Sequence, residues 1–319
     1  MNEILKRIFI DPVTLNGNLI IHRSSSEFEN QQQTNEAFSD KWLKNDIKTT
    51  IDDFESFQLE WYLKLYGFQD ESDLKIFLKT KKIILDAGCG LGYKAAWLAK
   101  LSPESIIIGM DFSDSVLAAS KHYSEIKNLF FVKGDIANTG ININMLDYIS
   151  CDQVIHHTEF PEKTFAHFTT LLTNTGQLAC YVYAVKALPR ELLDEHFRSF
   201  TKQCTKEQLW EMAEQLTTLG KTLSDLKINI EVPEIPLLGI PGGTYDIQRF
   251  IYWNFIKCFW NQQFNWDTNV ATNYDWYAPS NAKRYSEKEF KLWAVHNKLD
   301  ITFFHKEEAC YSGRFRKTK

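Results

Sequence analysis

No two of the six cysteines stand in a Cys-x-x-Cys pair: Cys89, Cys151, Cys180, Cys204, Cys258 and Cys310 are scattered along 319 residues. Disulfide frameworks belong to short secreted chains, and structural zinc needs clustered ligands. The pattern therefore predicts reduced thiols in a cytoplasmic protein, with no bound metal. Long apolar runs are missing too. No window reaches the ~18 apolar residues of a membrane span, and the apolar opening Met1–Ile10 is broken by Lys6 and Arg7 with no cleavage-site pattern behind it. Basic charge is not in excess, since 36 Lys and Arg face 41 Asp and Glu for a net charge of −5. A chain that coats nucleic acid usually carries a basic patch or stripe, so a nucleic-acid partner is disfavoured. The basic tail Arg314–Lys319 reads as a solvated chain end. No internal repeat is evident.

What is present is an ordinary globular composition, 44% hydrophobic and 24% charged, enough for one large domain or two unequal ones. Residues 1–80 form an N-terminal extension. Asp11-Pro12 and Asn16-Gly17 are turn signals, residues 24–36 read as a polar loop, and Asp52-Asp53 opens an amphipathic helix through Tyr66 with Phe54, Phe57, Trp61 and Leu65 on one side. Residues 81–185 alternate between strand and helix periods. The strands are Lys82–Asp86, Ser105–Asp111, Leu129–Val132, Leu146–Cys151 and Gln177–Val185. Helices fall at Tyr93–Leu101, at Ser113–Tyr123 with Ser113 as cap, and at Pro161–Leu172, where Gly176 ends the helical region. Buried apolar strands alternating with helices predict a doubly wound, mostly parallel α/β sheet. Residues 186–285 break the rhythm with helical stretches near 188–200, 205–219 and 244–263, an insertion on the substrate side. Residues 286–319 return to it as a helix and a closing antiparallel hairpin.

The sharpest local signal is Asp86-Ala87-Gly88-Cys89-Gly90-Leu91-Gly92, a glycine turn between a strand and a helix. Glycines let a backbone turn tightly and approach a ligand. The dinucleotide fingerprint Gly-x-Gly-x-x-Gly brings a pyrophosphate to a helix N-terminus. Here the spacing is Gly88-x-Gly90-x-Gly92, with a carboxylate just before it. Asp86 would repel a pyrophosphate and favour a cationic amine, as in the aminopropyl-carboxylate portion of S-adenosylmethionine (SAM). Asp111, at the end of the second apolar run, is placed to accept from both ribose hydroxyls, and Asp135, after the third, from an adenine amine. Each acid alone reads equally well as a helix cap or a turn residue. The ordered set at three consecutive strand ends does not.

The order LDAGCGLGY (85–93), IGMDFS (108–113), VKGDIAN (132–138) and DYISCDQVIHHT (147–158) resembles the class I SAM-dependent methyltransferases, specifically the broad small-molecule group with a His-His-Thr after the fourth strand. That resemblance implies a Rossmann-like methyltransferase core of seven strands. It also implies Asp86, Gly88, Gly90 and Gly92 around the methionine portion, Asp111 and Phe112 at the ribose, Asp135 and Ile136 at the adenine, and Asp152-Gln153 beside the methyl donor. Ile10-Asp11-Pro12-Val13-Thr14 resembles the Cys-Pro-x-Cys start of small zinc ribbons fused to such enzymes, with both cysteine positions replaced, so a metal-free ribbon is expected. Asn35–Trp42 resembles the segment that folds over the cofactor in related enzymes.

Methyl transfer from a sulfonium is an in-line displacement to which the protein mainly contributes alignment. A hydroxyl or ammonium acceptor also needs a base, and His156 and His157 stand at the end of the fourth strand, where histidine chemistry suits that task. They serve equally as residues that orient loops. Twelve of the residues 245–277 are aromatic, against 14% of the whole chain. Most read as a face packed on the core or as a homodimer face. Tyr274, Trp276 and Tyr277, with Tyr183 and Arg190, are the candidates to contact a small-molecule acceptor. The sequence thus predicts O- or N-methylation of a metabolite without metal. An RNA-modifying methyltransferase, a non-catalytic SAM-binding partner protein and a nicotinamide oxidoreductase stand behind that reading.

Overall fold

A computed structural model describes residues 2–21, 28–44 and 47–318. The chain begins with helix α1 (Asn2–Ile8), strands β1 (Thr14–Asn16) and β2 (Leu19–Ile21), and helices α2 (Glu29–Leu43), α3 (Ile47–Tyr66) and α4 (Glu71–Leu78). Strand β3 (Ile83–Ala87), α5 (Tyr93–Leu101), β4 (Ile106–Asp111), α6 (Ser115–His122), β5 (Leu129–Lys133), β6 (Leu146–Cys151), α7 (Pro161–Leu171) and β7 (Leu172–Ala184) follow in alternation. The next stretch holds α8 (Leu188–Thr201), α9 (Lys206–Asp225), β8 (Asn229–Val232), β9 (Gly243–Asp246), α10 (Ile247–Asn254) and α11 (Trp266–Tyr277). The chain ends with β10 (Arg284–Tyr285), α12 (Glu287–His296), β11 (Leu299–Lys306) and β12 (Cys310–Lys317). Two compact units result, one from residues 1–184 and 283–319 and the other from residues 185–282.

The first unit is built on a single sheet in the order β1-β2-β5-β4-β3-β6-β7-β12-β11, with β10 beside β7. Strands β3 to β7 run parallel, while β12 closes antiparallel on β7 and β11 on β12. The central strands carry almost no exposed residues, so both faces are covered by helices and the strands read as continuous apolar runs. This is the doubly wound, Rossmann-like methyltransferase architecture. Seven strands, β5-β4-β3-β6-β7-β12-β11, make its core, yet the expectation of seven is too low: among the described residues the sheet has ten. The extension supplies two of the extra strands as a hairpin at Gly17, and β2 pairs parallel with β5 through Leu19 and Ile20. The third is β10, laid beside the end of β7 where the chain returns.

Several local expectations are corrected. The polar stretch 24–36 is not a loop where described, since α2 starts at Glu29 and buries Gln31, Thr34 and Ala37. The next helix starts at Ile47, ahead of Asp52. Gly176 lies within β7, where a Cβ would come 2.8 Å from the Leu146 carbonyl oxygen, and so it permits close strand packing. Ser113 does not cap α6, whose first residue is Ser115; its hydroxyl donates to Asp111 instead. Among the described residues no helix is long and apolar enough to cross a membrane.

The second unit is mainly helical and carries its own two-stranded hairpin, β8 with β9, that the sequence reading had not anticipated. Helix α9 opens with a capping box, in which Thr205 and Gln208 satisfy each other's backbone N–H groups. Gly220 lets α9 approach the following chain closely, because a Cβ there would lie 2.4 Å from the Cys258 carbonyl oxygen.

Candidate active site

Strand order reverses between β3 and β6, and in open α/β sheets the crevice beyond the carboxyl ends at such a point receives the ligand. Beyond β3 the chain turns through Gly88 with φ +80°, and a Cβ there would strike Val154 at 2.3 Å. The loop after β3 is thus pressed against the loop after β6. Gly90 has φ +53°, and its N–H donates to Asp111 Oδ2 at 2.8 Å. Asp111 Oδ1 accepts from the Ser113 N–H at 2.8 Å and from its hydroxyl at 2.6 Å. These bonds stabilise the carboxylate, but burial outweighs them and raises its pKa. Gly92 caps α5, and Phe112 and Ile136 follow β4 and β5 beside their acids. Asp135 is buried, accepts from the Ala137 N–H at 2.8 Å, and is also raised by burial.

Asp86 is the least satisfied of these acids. It is buried, and its Oδ2 has no hydrogen-bond partner among the described residues. Burial pushes its carboxyl up to about 7, against the opposing pull of the Lys94 ammonium. Asp152 differs. It pairs with the Lys94 ammonium and accepts from the Tyr66 hydroxyl at 2.8 Å and from Gln153 Nε2 at 3.1 Å. Burial alone lowers the pKa of Lys94, but the charge of Asp152 more than reverses this, and the lysine is held above its ordinary value. Gln153, at φ +64°, is one of the few non-glycine residues in left-handed backbone, and its Nε2 also donates to Gln58 Oε1 at 2.7 Å. Such strain gathers at ligand sites, where surrounding structure holds it.

The sequence reading missed Lys94, Gln58, Tyr62 and Tyr66. The last three are spaced by four residues and so share one face of α3. The Tyr62 hydroxyl lies 2.6 Å from that of Tyr148 and 3.2 Å from Ser150 Oγ, both on β6. The signal was available in part: a polar-aromatic stripe at i, i+4, i+8, and Lys94 on the face of a helix whose other buried residues are apolar or aromatic. Their destinations on β6 and just beyond its end, at Tyr148, Ser150, Asp152 and Gln153, were not.

The His-His-Thr occupies a single 3₁₀ turn, Ile155–His157, closed by the Thr158 hydroxyl donating to the Ile155 carbonyl at 2.7 Å. Both histidines are buried. The structure brings Tyr183 to them: its ring centroid lies 3.7 Å from that of His156 and 5.5 Å from that of His157. Helix α2 spans this end of the sheet. Ser39 Oγ accepts from the Asp114 N–H at 2.9 Å, Phe38 stacks edge-on against His157 at 4.8 Å, and Gln31 Oε1 accepts from the Glu159 N–H at 2.9 Å. Trp42 of the same helix lies 3.5 Å from where a Gly90 Cβ would be. The segment Asn35–Trp42 therefore covers the glycine turn and the histidines together.

The remaining acceptor candidates belong to the interior of the helical unit. Arg190 donates to Asp194 at 2.8 Å and to the Tyr252 carbonyl, and both charged side chains are fully buried. Asp194 also accepts from Trp276 Nε1 at 2.9 Å and from the Tyr277 hydroxyl at 2.7 Å. Tyr274 stacks face-on against Trp210 at 3.9 Å. The charge of Arg190, a candidate to contact the acceptor, is thus answered by a residue of the same helix.

Known proteins agree with this architecture. Residues 78–229 match the family described as Methyltransferase domain. An uncharacterized protein of Synechococcus is 31% identical over 105 residues, covering 32% of this chain and 25% of that protein. A malonyl-[acyl-carrier protein] O-methyltransferase of Bacillus anthracis is 26% identical over 109 residues, covering 27% of this chain and 40% of that one. The chain thus spans well under half the length of these relatives. The solved structure of PKMT2 from Rickettsia typhi shares the fold at 18% identity with a TM-score of 0.50, over 76% of this chain and 49% of that one. Sheet order, glycine turn and family match agree: residues 78–229 match a methyltransferase domain and lie on a Rossmann-like, doubly wound fold.

Proposed function

We propose that the chain transfers a methyl group from SAM to an oxygen or nitrogen of a small-molecule metabolite, without metal. The observation that carries this reading is the buried Asp86 oxygen with no partner, at the strand end beside two left-handed glycines. A buried carboxylate oxygen left without a hydrogen bond is costly, and a ligand with a cationic amine removes that cost where a pyrophosphate increases it. In this assignment Asp86 and the Gly88–Gly92 turn hold the amino-acid portion. Asp111 accepts from the ribose hydroxyls, Asp135 with Ile136 borders the adenine, and Asp152 and Gln153, fixed by Lys94, Tyr66 and Gln58, form the wall beyond β6.

When bound, SAM supplies an already activated methyl on a sulfonium. The protein then has to exclude water, align the acceptor, and take its proton. Alignment alone is worth about 7–11 kcal/mol in well-oriented systems. His157, and behind it His156, are the side chains at this end of the sheet suited to hold the acceptor's proton. Tyr183 packs against both rings and fixes their orientation. A small acceptor accords with the net negative charge of the chain, and an oxygen acceptor with the O-methyltransferase named for the Bacillus relative.

Titration calorimetry with SAM and with NAD tests the assignment. Binding of SAM and none of NAD is the expected result; the reverse would remove the reading. Mass spectrometry of any metabolite that co-purifies would identify the acceptor.

A further inference from the structure

The helical unit contains a lysine whose charge is unanswered. Lys257 is 6% exposed, and among the described residues no oxygen accepts from its ammonium. The ammonium lies instead over three aromatic rings, 4.6 Å from the centroid of Trp276, 5.4 Å from Tyr252 and 5.7 Å from Phe259. Ring faces attract a cation but supply neither a counter-charge nor an acceptor lone pair. Buried charges in folded proteins are ordinarily paired.

The surroundings share the same sign. The guanidinium of Arg249 lies over two of the same rings, 5.6 Å from Tyr252 and 5.9 Å from Phe259. Its one acceptor is the Trp260 carbonyl at 3.4 Å. Arg190 lies over Tyr252 and Trp276 at 5.4 and 5.0 Å. Two carboxylates stand nearby. Asp194 is saturated by Arg190, Trp276 and Tyr277. Asp246 caps α10 by accepting from the backbone N–H of Arg249. Neither reaches Lys257.

The position is also built rather than accidental. The chain around Lys257 is fastened by buried amides. Gln248 Nε2 donates to the Cys258 carbonyl at 2.8 Å, Asn273 accepts from the Phe259 N–H at 2.7 Å and donates to its carbonyl at 3.0 Å, and the Tyr277 hydroxyl accepts from the Lys257 N–H at 3.3 Å. Three separate side chains thus spend their hydrogen bonds on holding one unpaired cation in place.

We propose that Lys257 and Arg249 form a binding site for a small oxyanion, a carboxylate or phosphate group, within the helical unit. Lys257 supplies a point charge among aromatic rings, and Arg249 the planar fork that matches two oxygens at once. This site is independent of the methyltransferase reading.

Thermal unfolding of the full chain in sodium benzoate, and separately in inorganic phosphate, at ionic strength fixed with sodium chloride, tests it. The wild type should show a saturable rise in Tm with at least one of the two. Lys257→Met should unfold at a higher temperature than the wild type without anion, because an uncompensated charge is gone, and should lose the response. Arg249→Gln should raise the half-saturating concentration at least tenfold, and Lys206→Gln, at an exposed position on α9, should respond as the wild type does. An equal response in Lys257→Met, no response of the wild type to either anion, or a lower Tm of anion-free Lys257→Met would each overturn the proposal. If Lys257→Met does not fold, an unchanged response in Arg249→Gln does so. A shift produced by SAM in the same samples reads the strand-end site and separates the two outcomes.

Discussion

Each unit holds a cluster of like charge, and the two clusters are opposite in sign. At the strand ends stand the carboxylates Asp86, Asp111, Asp135 and Asp152, of which Asp152 pairs with the buried Lys94. In the helical unit, Arg190, Arg249 and Lys257 surround Tyr252 and its neighbours while Asp194 answers only one of them. Each unit contains one closed ion pair reinforced by an aromatic hydroxyl, Lys94–Asp152 with Tyr66 and Arg190–Asp194 with Tyr277. Each also leaves charge unspent beside that pair. The closed pairs are scaffolding, and the unspent charges, negative in one unit and positive in the other, are where a ligand is worth most.

That division is open to attack, beginning with the largest effect. Lys94→Met leaves Asp152 buried without its cation, and breaking such a pair costs about 3–5 kcal/mol. Urea unfolding should show a loss of that order, and a loss under 1 kcal/mol would mean that the pair is not structural. Arg190→Met makes the matching test in the other unit. It should cost a similar amount, since Trp276 and Tyr277 continue to donate to Asp194 as Tyr66 and Gln153 do to Asp152. Asp111→Ala leaves both closed pairs intact and should weaken SAM binding well over tenfold, more than ~1.4 kcal/mol. Unchanged affinity in calorimetry removes the ribose assignment.

The smallest effect is a pH dependence. Burial raises Asp86 to about 7. A carboxyl with a higher pKa folded than unfolded stabilises the fold fully below the ordinary carboxyl range, and that contribution fades as pH rises through 7. Asp86→Asn should therefore raise the Tm of the ligand-free protein more at pH 8 than at pH 5. SAM affinity should climb about tenfold between pH 5.5 and 7 as the wild-type carboxyl ionises, and the Asn variant should flatten that slope. A slope unaltered by the substitution assigns the titration to another group.

Local chemistry made the core legible in the sequence. The short Ile-rich runs, each ending in an acid, became β3 and β4, and the glycine turn between β3 and α5 has the left-handed backbone that only glycine adopts cheaply. Helix α2 was hidden because its residues are mostly polar and it buries two of them, Gln31 and Thr34, so periodicity had little to register. The edge ribbon was expected from a resemblance and a turn at Asn16-Gly17, but not its pairing with β5, since a three-residue strand has no period of its own. The α3–β6 contacts and the Arg190–Asp194 network were illegible for a different reason. A polar residue in a sequence advertises its chemistry but not its partner, and the partner decides whether that chemistry is consumed or left for a ligand. Arg190 and Lys257 both read as cations, and only the fold shows that Asp194 answers the first.

The chain leaves the sheet after Ala184 and comes back at Arg284, and these two points are adjacent: Arg284 pairs with Tyr183 and Tyr285 with Ala184. Departure and return are thus one strand spacing apart, about 4.8 Å. A stretch of nearly a hundred residues is attached like a cassette, through a doorway no wider than a hairpin. Its length and contents can drift without any strand of the sheet changing register, which gives one catalytic platform a means of acquiring new ligands by exchanging what hangs from a single seam.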